Sequence, residues 1–143
     1  MDTPTPANPP APTKPAEVVR FNKVTKSFGE GPNAKVAILH FSPAKSCIDR
    51  VKGFTDAMAK HPGMKLLDTQ EGKGTIEGGR PVMRDLLGRY PELDAVFPIN
   101  DPCAIGAYSA IEAAGRAGRV TVVTVDGSRE AAQSIRDGRI HST

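Results

Sequence analysis

With 143 residues the chain is long enough for one domain with a real core and too short for two. Its net charge of +3 comes from basic residues scattered among acidic ones, with no basic run and no interleaved aromatics, which argues against a nucleic-acid surface; no apolar run approaches a membrane span. The two cysteines, Cys47 and Cys103, stand far apart and outside any Cys-x-x-Cys or Cys/His cluster, so each reads as a small buried hydrophobe and no metal or disulfide is expected.

Residues 1–16, MDTPTPANPPAPTKPA, are rich in Pro and Thr with almost no apolar bulk, and read as a disordered tail. No basic stretch precedes an apolar one there, so no secretory leader is expected and the chain as written would stay in the cytosol. In residues 17–34, Val19, Phe21 and, less regularly, Val24 and Phe28 alternate as in a strand. The run Val18-Val19-Arg20-Phe21-Asn22-Lys23-Val24-Thr25-Lys26-Ser27-Phe28-Gly29 resembles the first strand of an ABC-transporter ATPase, which implies an aromatic at Phe28 stacking on adenine. Such an ATPase also needs the phosphate loop GxxxxGK followed by Ser or Thr. Gly72-Lys73-Gly74-Thr75 lacks its first glycine and follows no apolar strand, so ATP hydrolysis is not expected. Residues 17–34 are left as a strand segment or linker.

From residue 35 to residue 143 the pattern is that of one folded unit. Val36-Ala37-Ile38-Leu39-His40-Phe41 is a compact apolar run closed by Ser42-Pro43, a buried strand. Ile48, Val51, Phe54 and Met58 then recur at three- and four-residue steps, predicting an amphipathic helix with Ser46 as N-cap and Pro62-Gly63 as stop. Residues 64–67 form a second short strand, and residues 70–75 a polar, glycine-bearing loop. A second helix over about 76–90 buries Val82, Met83, Leu86 and Leu87, and Pro81 inside it predicts a later start or a kink. A strand over 95–99, a helix over 104–114 and a strand over 120–125 follow. A last helix over 129–136 stops at Gly138, and residues 139–143 begin another strand. Strands alternating with helices predict an α/β fold, a three-layer parallel sheet with right-handed crossovers.

In open parallel sheets ligands sit outside the carboxyl ends of the strands. Two strands end there in Asn100-Asp101 and Asp126-Gly127, with Arg50 near the start of the first helix. A guanidinium fork, an amide and a carboxylate form a hydrogen-bonding set suited to a polyhydroxylated small molecule. No nucleophile sits beside a base, and His40, His61 and His141 are isolated, so neither a catalytic residue nor a cofactor is expected. Asp101 and Asp126 would be a carboxylate pair for hydrolysis, but Asp101 reads better as the N-cap of a helix beginning after Pro102. Taken alone, Asp126-Gly127 fits an ordinary turn equally well.

Several stretches, in order, carry a broader resemblance: Asp49-Arg50-Val51-Lys52-Gly53-Phe54, Pro91-Glu92-Leu93-Asp94-Ala95-Val96-Phe97, Ile99-Asn100-Asp101-Pro102-Cys103-Ala104-Ile105-Gly106-Ala107, Val125-Asp126-Gly127-Ser128 and Asp137-Gly138-Arg139. Through them residues 35–143 resemble one lobe of a type I periplasmic solute-binding protein of the ribose/galactose kind, the capture component of ABC sugar importers. The resemblance implies a non-enzymatic, periplasmic protein that binds a monosaccharide or polyol and hands it to an ABC permease and ATPase. It implies that Arg50 clamps ring or hydroxyl oxygens, that Asn100 bridges two hydroxyls, and that Asp126 accepts from one or two. Ribose-type members also place an aromatic before the second helix of this lobe, and residues 73–76 contain none.

Members of that family close two lobes over the ligand, and only one has a counterpart here. A fused or truncated reading frame, joining the start of the ATPase to the binding protein, accounts for both resemblances. Two copies pairing through the exposed lobe face would stand in for the other lobe. The alternative is the ligand-sensing domain of a LacI-type transcription regulator, which shares the fold but needs a helix-turn-helix where residues 1–31 offer Pro-rich coil and one strand. A nucleotide-dependent reductase would need G-x-G-x-x-G after the first strand, which is absent.

Overall fold

A computed structural model describes residues 34–143 of the protein. The expected tail of residues 1–16, and the strand segment ahead of residue 34, lie outside the described residues.

Eight elements alternate along the chain: β1 (Ala34–His40), α1 (Lys45–Met58), β2 (Met64–Glu71), α2 (Ile76–Arg89), β3 (Ala95–Pro98), α3 (Asp101–Ala113), β4 (Thr121–Val122) and α4 (Arg129–Arg136). The four strands form one sheet in the order β2-β1-β3-β4, with every pairing parallel. The α/β sheet expected from the sequence is therefore present.

The central strands β1 and β3 are buried on both faces, as the middle of a sheet between two helical layers requires, whereas β2 at the edge is partly exposed. Alternation along β1 sends Ile38 to one side, where it packs with Phe97, Ile99 and Cys47, backed by Val51 and Phe54 of α1. Ala37 and Leu39 go to the other side, where they meet Val96 and Val122 together with Met83, Leu86 and Leu87 of α2 and Ala104, Ala107 and Ile111 of α3. Phe54 and Phe97 stack face to face with ring centroids 4.2 Å apart, fixing α1 over the sheet centre. Both cysteines are buried, Cys103 completely.

Helices α2 and α3 approach closely because small residues meet backbone at the crossing. A Cβ placed on Gly106 would lie 2.3 Å from the Ile76 carbonyl oxygen, and one on Gly79 would lie 2.5 Å from that of Cys103. At the far end Arg116 donates to the Leu93 carbonyl at 2.9 Å and Asp94 accepts from the Lys35 amide at 2.8 Å, tying the strand starts together. On β2, Asp68 accepts from Arg89 at 2.9 Å and from the Tyr90 hydroxyl at 3.1 Å, fastening the end of α2 to the edge strand.

Four local expectations need correction. Ser46 does not cap α1: the N-cap position is Ala44, which offers no side-chain bond, and Ser46 already lies inside the helix. Asp101 does not cap α3: the cap is Asn100, and the helix begins at Asp101 rather than near residue 104. Pro102 causes no delay because the second helical position has no intrahelical use for an N–H. α2 starts at Ile76, before Pro81, since Thr75 caps it by accepting from the Gly78 amide at 3.0 Å. The carbonyl that loses its partner to Pro81 belongs to exposed Glu77, within reach of water. β2 runs on to Glu71, past its apolar start, because pairing continues to His40–Glu71 after a register shift between Val36 and Ala37.

Beyond β4, Val123 bridges Ser142, and the His141 and Thr124 amides bond across to the Val122 and Ser142 carbonyls. The strand-like character expected of residues 139–143 is thus realised beside β4.

Candidate functional site

The carboxyl ends of β1, β3 and β4 lie side by side, and the loops leaving them carry the residues singled out from the sequence. Arg50 reaches this rim from the second turn of α1. Its Nη1 donates to the Ile99 carbonyl at 2.8 Å, and its Nη2 lies 2.8 Å from Asp126 Oδ1. The Arg50 side chain is 29% exposed and that of Asp126 34%. A planar fork with five N–H donors can make both contacts and keep others for a guest.

Asn100 sits next in the chain to Ile99, at the head of α3. Its Oδ1 accepts from the Cys103 amide at 3.1 Å, and its Nδ2 donates to the Gly74 carbonyl at 2.8 Å. The amide therefore caps α3 and ties down the loop before α2. One N–H and one lone pair remain, so the side chain has capacity for one donated and one accepted bond to a guest rather than an uncommitted amide. Gly74 has φ +66°, and a Cβ there would lie 3.1 Å from Asn100 Nδ2. Its lack of a side chain is what lets the loop approach the cap this closely.

Asp126 has φ 141°, which is unusual for a residue with a side chain, and Gly127 follows at φ 80°. Strain of this kind collects at sites where the surrounding structure over-determines the backbone. The Asp126 Oδ2 accepts from the Asp101 amide at 3.3 Å. The Asp101 carboxylate, 0% exposed, accepts from the Ser128 amide at 2.7 Å and from the Thr143 hydroxyl. Ser128 in turn caps α4, accepting from the Ala131 amide at 3.1 Å.

The three residues expected to bind ligand are thus brought to one rim: Arg50 touches Asp126 directly, and Asn100 adjoins the carbonyl that Arg50 grips. Asp101 belongs to the same network but is turned inward. Sequence reasoning did not find its contacts or those of Thr143 and the Gly74 carbonyl. The signal available was an acidic residue in the first turn of a helix beside a strand end.

Cys103 lies below the rim with Sγ 3.7 Å from the Gly72 carbonyl, and burial pushes its thiol up to about 12. It is a packing group. Among the described residues no three His, Cys, Asp or Glu side chains are grouped to hold a metal, and no helix is long and apolar enough to cross a membrane.

Comparison with known proteins places this geometry in context. The profile of the periplasmic binding protein domain family matches residues 22–143, beginning inside the segment that resembles an ATPase strand. The D-ribose/D-allose-binding protein of Pseudomonas aeruginosa is 43% identical over 94 residues, 66% of this chain and 29% of the relative. The ribose import binding protein RbsB of Salmonella typhimurium is 35% identical over 121 residues, 84% of this chain and 40% of the relative. Among solved structures, an ABC transporter periplasmic solute binding protein from Actinobacillus succinogenes with bound D-allose superposes with a TM-score of 0.73 at 32% identity, covering 77% of this chain and 39% of that one. A solute binding protein from Burkholderia multivorans gives 0.72 at 37% identity, with 77% and 39% covered. The chain spans less than half the length of each of these relatives.

Proposed function

The chain belongs to the periplasmic binding protein domain family, and from that premise we propose that it is a partial substrate-binding component of an ABC-type sugar importer. Its guest is a small polyhydroxylated solute, a pentose or hexose in the first instance, since relatives are named for ribose, allose and fructose. The observation that supports this most is the meeting of Arg50, Asn100 and Asp126 at one sheet rim. Arg50 clamps a ring or hydroxyl oxygen, Asp126 accepts from a hydroxyl, and Asn100 exchanges one bond in each direction.

The role is binding without chemistry. The place of action that goes with this reading is the periplasm, and the partners are an ABC permease and its ATPase. The binding unit comprises residues 35–143, and two copies pair through its exposed lobe face.

The rim residues form one side of a clamp. If they contribute half of the roughly 8 kcal/mol behind a micromolar affinity, the chain binds with a dissociation constant of about 1 mM. Calorimetry of the purified chain against pentoses, hexoses and polyols tests the reading. Saturable heat with at least one of them supports it, and heat with none at concentrations of about 50 mM, well above that constant, contradicts it.

A further inference from the structure

Asp101 is the one fully buried charged residue among the described side chains that form the core, and its contacts converge on three consecutive residues. Its amide donates to Asp126 Oδ2 at 3.3 Å, and its Oδ2 accepts from the Ser128 amide at 2.7 Å. Its Oδ1 accepts from the Thr143 hydroxyl, and that hydroxyl accepts from the Gly127 amide at 3.0 Å. Residues 126, 127 and 128 are therefore each held by Asp101, directly or through one hydroxyl.

Those residues need holding. Asp126 and Gly127 both have positive φ, and Asp126 carries a side chain that opposes it. A strained turn persists only where its neighbours fix it. A carboxylate offers two oxygens and about four acceptor positions in one plane, which suits it to take an amide and a hydroxyl from different directions at once. Asp101 itself opens α3, where the helix dipole favours its negative charge.

We propose that Asp101 is a positioning residue for the site: its carboxylate holds the 126–128 turn in the strained form that directs the Asp126 carboxylate onto Arg50. Its effect on sugar affinity rests on the function proposed above, whereas its effect on the turn does not.

The test compares wild type with Asp101→Asn, which keeps the shape but replaces one acceptor oxygen with an NH2. The measurements are amide hydrogen exchange at Gly127 and Ser128 and the Arg50 guanidinium N–H resonances in heteronuclear spectra. Exchange at both amides should accelerate about tenfold relative to the rest of the chain, the equivalent of one weakened charge-assisted bond, and the Arg50 resonances should move toward those of Asp126→Asn. Thr143→Val, which keeps the carboxylate, should accelerate Gly127 and leave Ser128 unchanged.

The core variant Ile111→Ala serves as control, since it lowers the melting temperature without touching the network. Unchanged exchange and Arg50 resonances in Asp101→Asn would overturn the proposal, as would an equal response in Ile111→Ala. If Asp101→Asn fails to fold, the Arg50 resonances of Thr143→Val decide, since that variant cuts the link from the Asp101 carboxylate to Gly127: movement toward those of Asp126→Asn supports the proposal, and no movement overturns it. D-Ribose titrated into the same samples should show an affinity about tenfold weaker in Asp101→Asn. No response to sugar in wild type would count against the sugar reading alone, because exchange at Gly127 and Ser128 is read without it.

Discussion

The Arg50 guanidinium and the Asp126 carboxylate meet at 2.8 Å, although one leaves a helix on one face of the sheet and the other follows the strand end of β4. The contact is what turns separate strand-end loops into one polar rim. Both side chains are about one-third exposed, so solvent screens the pair, and its worth to stability is that of a semi-exposed ion pair. A double-mutant cycle with Arg50→Met and Asp126→Asn in urea should give a coupling energy of about 1 kcal/mol, not the 3–5 kcal/mol of breaking a fully buried pair. Sugar binding should fall far more than stability in either single variant.

Asn100 has two separable duties. Asn100→Ala removes the α3 cap and the tie to Gly74, and should cost about 1–2 kcal/mol in denaturant unfolding. Asn100→Asp keeps an oxygen for the Cys103 amide but gives up the donor to the Gly74 carbonyl. Its stability should fall between wild type and the alanine variant, while exchange at the loop before α2 rises to the alanine level.

At Gly106 packing should defeat propensity. Alanine is the better helix former by about 1 kcal/mol, yet its Cβ would stand 2.3 Å from the Ile76 carbonyl oxygen, and backbone on both helices would have to move. Gly106→Ala should be destabilising by a net 1–3 kcal/mol, an estimate from overpacked cores. Gly88→Ala, at a helical position where nothing lies within 4 Å of an added Cβ, should be neutral or stabilising. Thermal melts of the two variants make the comparison.

Cys103 gives the fold a calculable sensitivity to alkali. Burial raises the thiol from 9.0 to about 12 in the native state, so the unfolded chain releases this proton first. The contribution is intact below pH 9 and is lost as pH rises toward 12, at about 1.4 kcal/mol per pH unit. Cys103→Ala should be less stable than wild type near neutrality because of the lost packing. The gap should narrow between pH 9 and 11, as measured by urea midpoints at each pH.

Element types were legible because apolar periodicity switches cleanly between strand and helix from Val36 onward. The edges were less so, for local reasons. Polar Asp68 to Glu71 hide the length of β2, since an edge strand pairs on one side only and tolerates solvent-facing residues. At the start of α3 two good caps stand side by side, and nothing in composition says that Asn100 takes the cap while Asp101 turns inward. At the site, strand-end position pointed to Asn100 and Asp126, and helix-start position to Arg50. The φ of Asp126 left no trace in the sequence, because its residue type is also common in ordinary turns. The role of Asp101 was invisible for the same reason: its partners are backbone amides and a hydroxyl far along the chain.

The most direct measurement is a heteronuclear NMR titration of the chain with D-ribose and, separately, D-allose, following every backbone amide and the Arg50 and Asn100 side-chain N–H groups. The account predicts saturable shifts at Arg50, Asn100 and residues 126–128, with a midpoint of about 1 mM. Shifts confined to another face, such as the groove between Arg80, Arg84 and Ser109, or none at about 50 mM sugar, would contradict it.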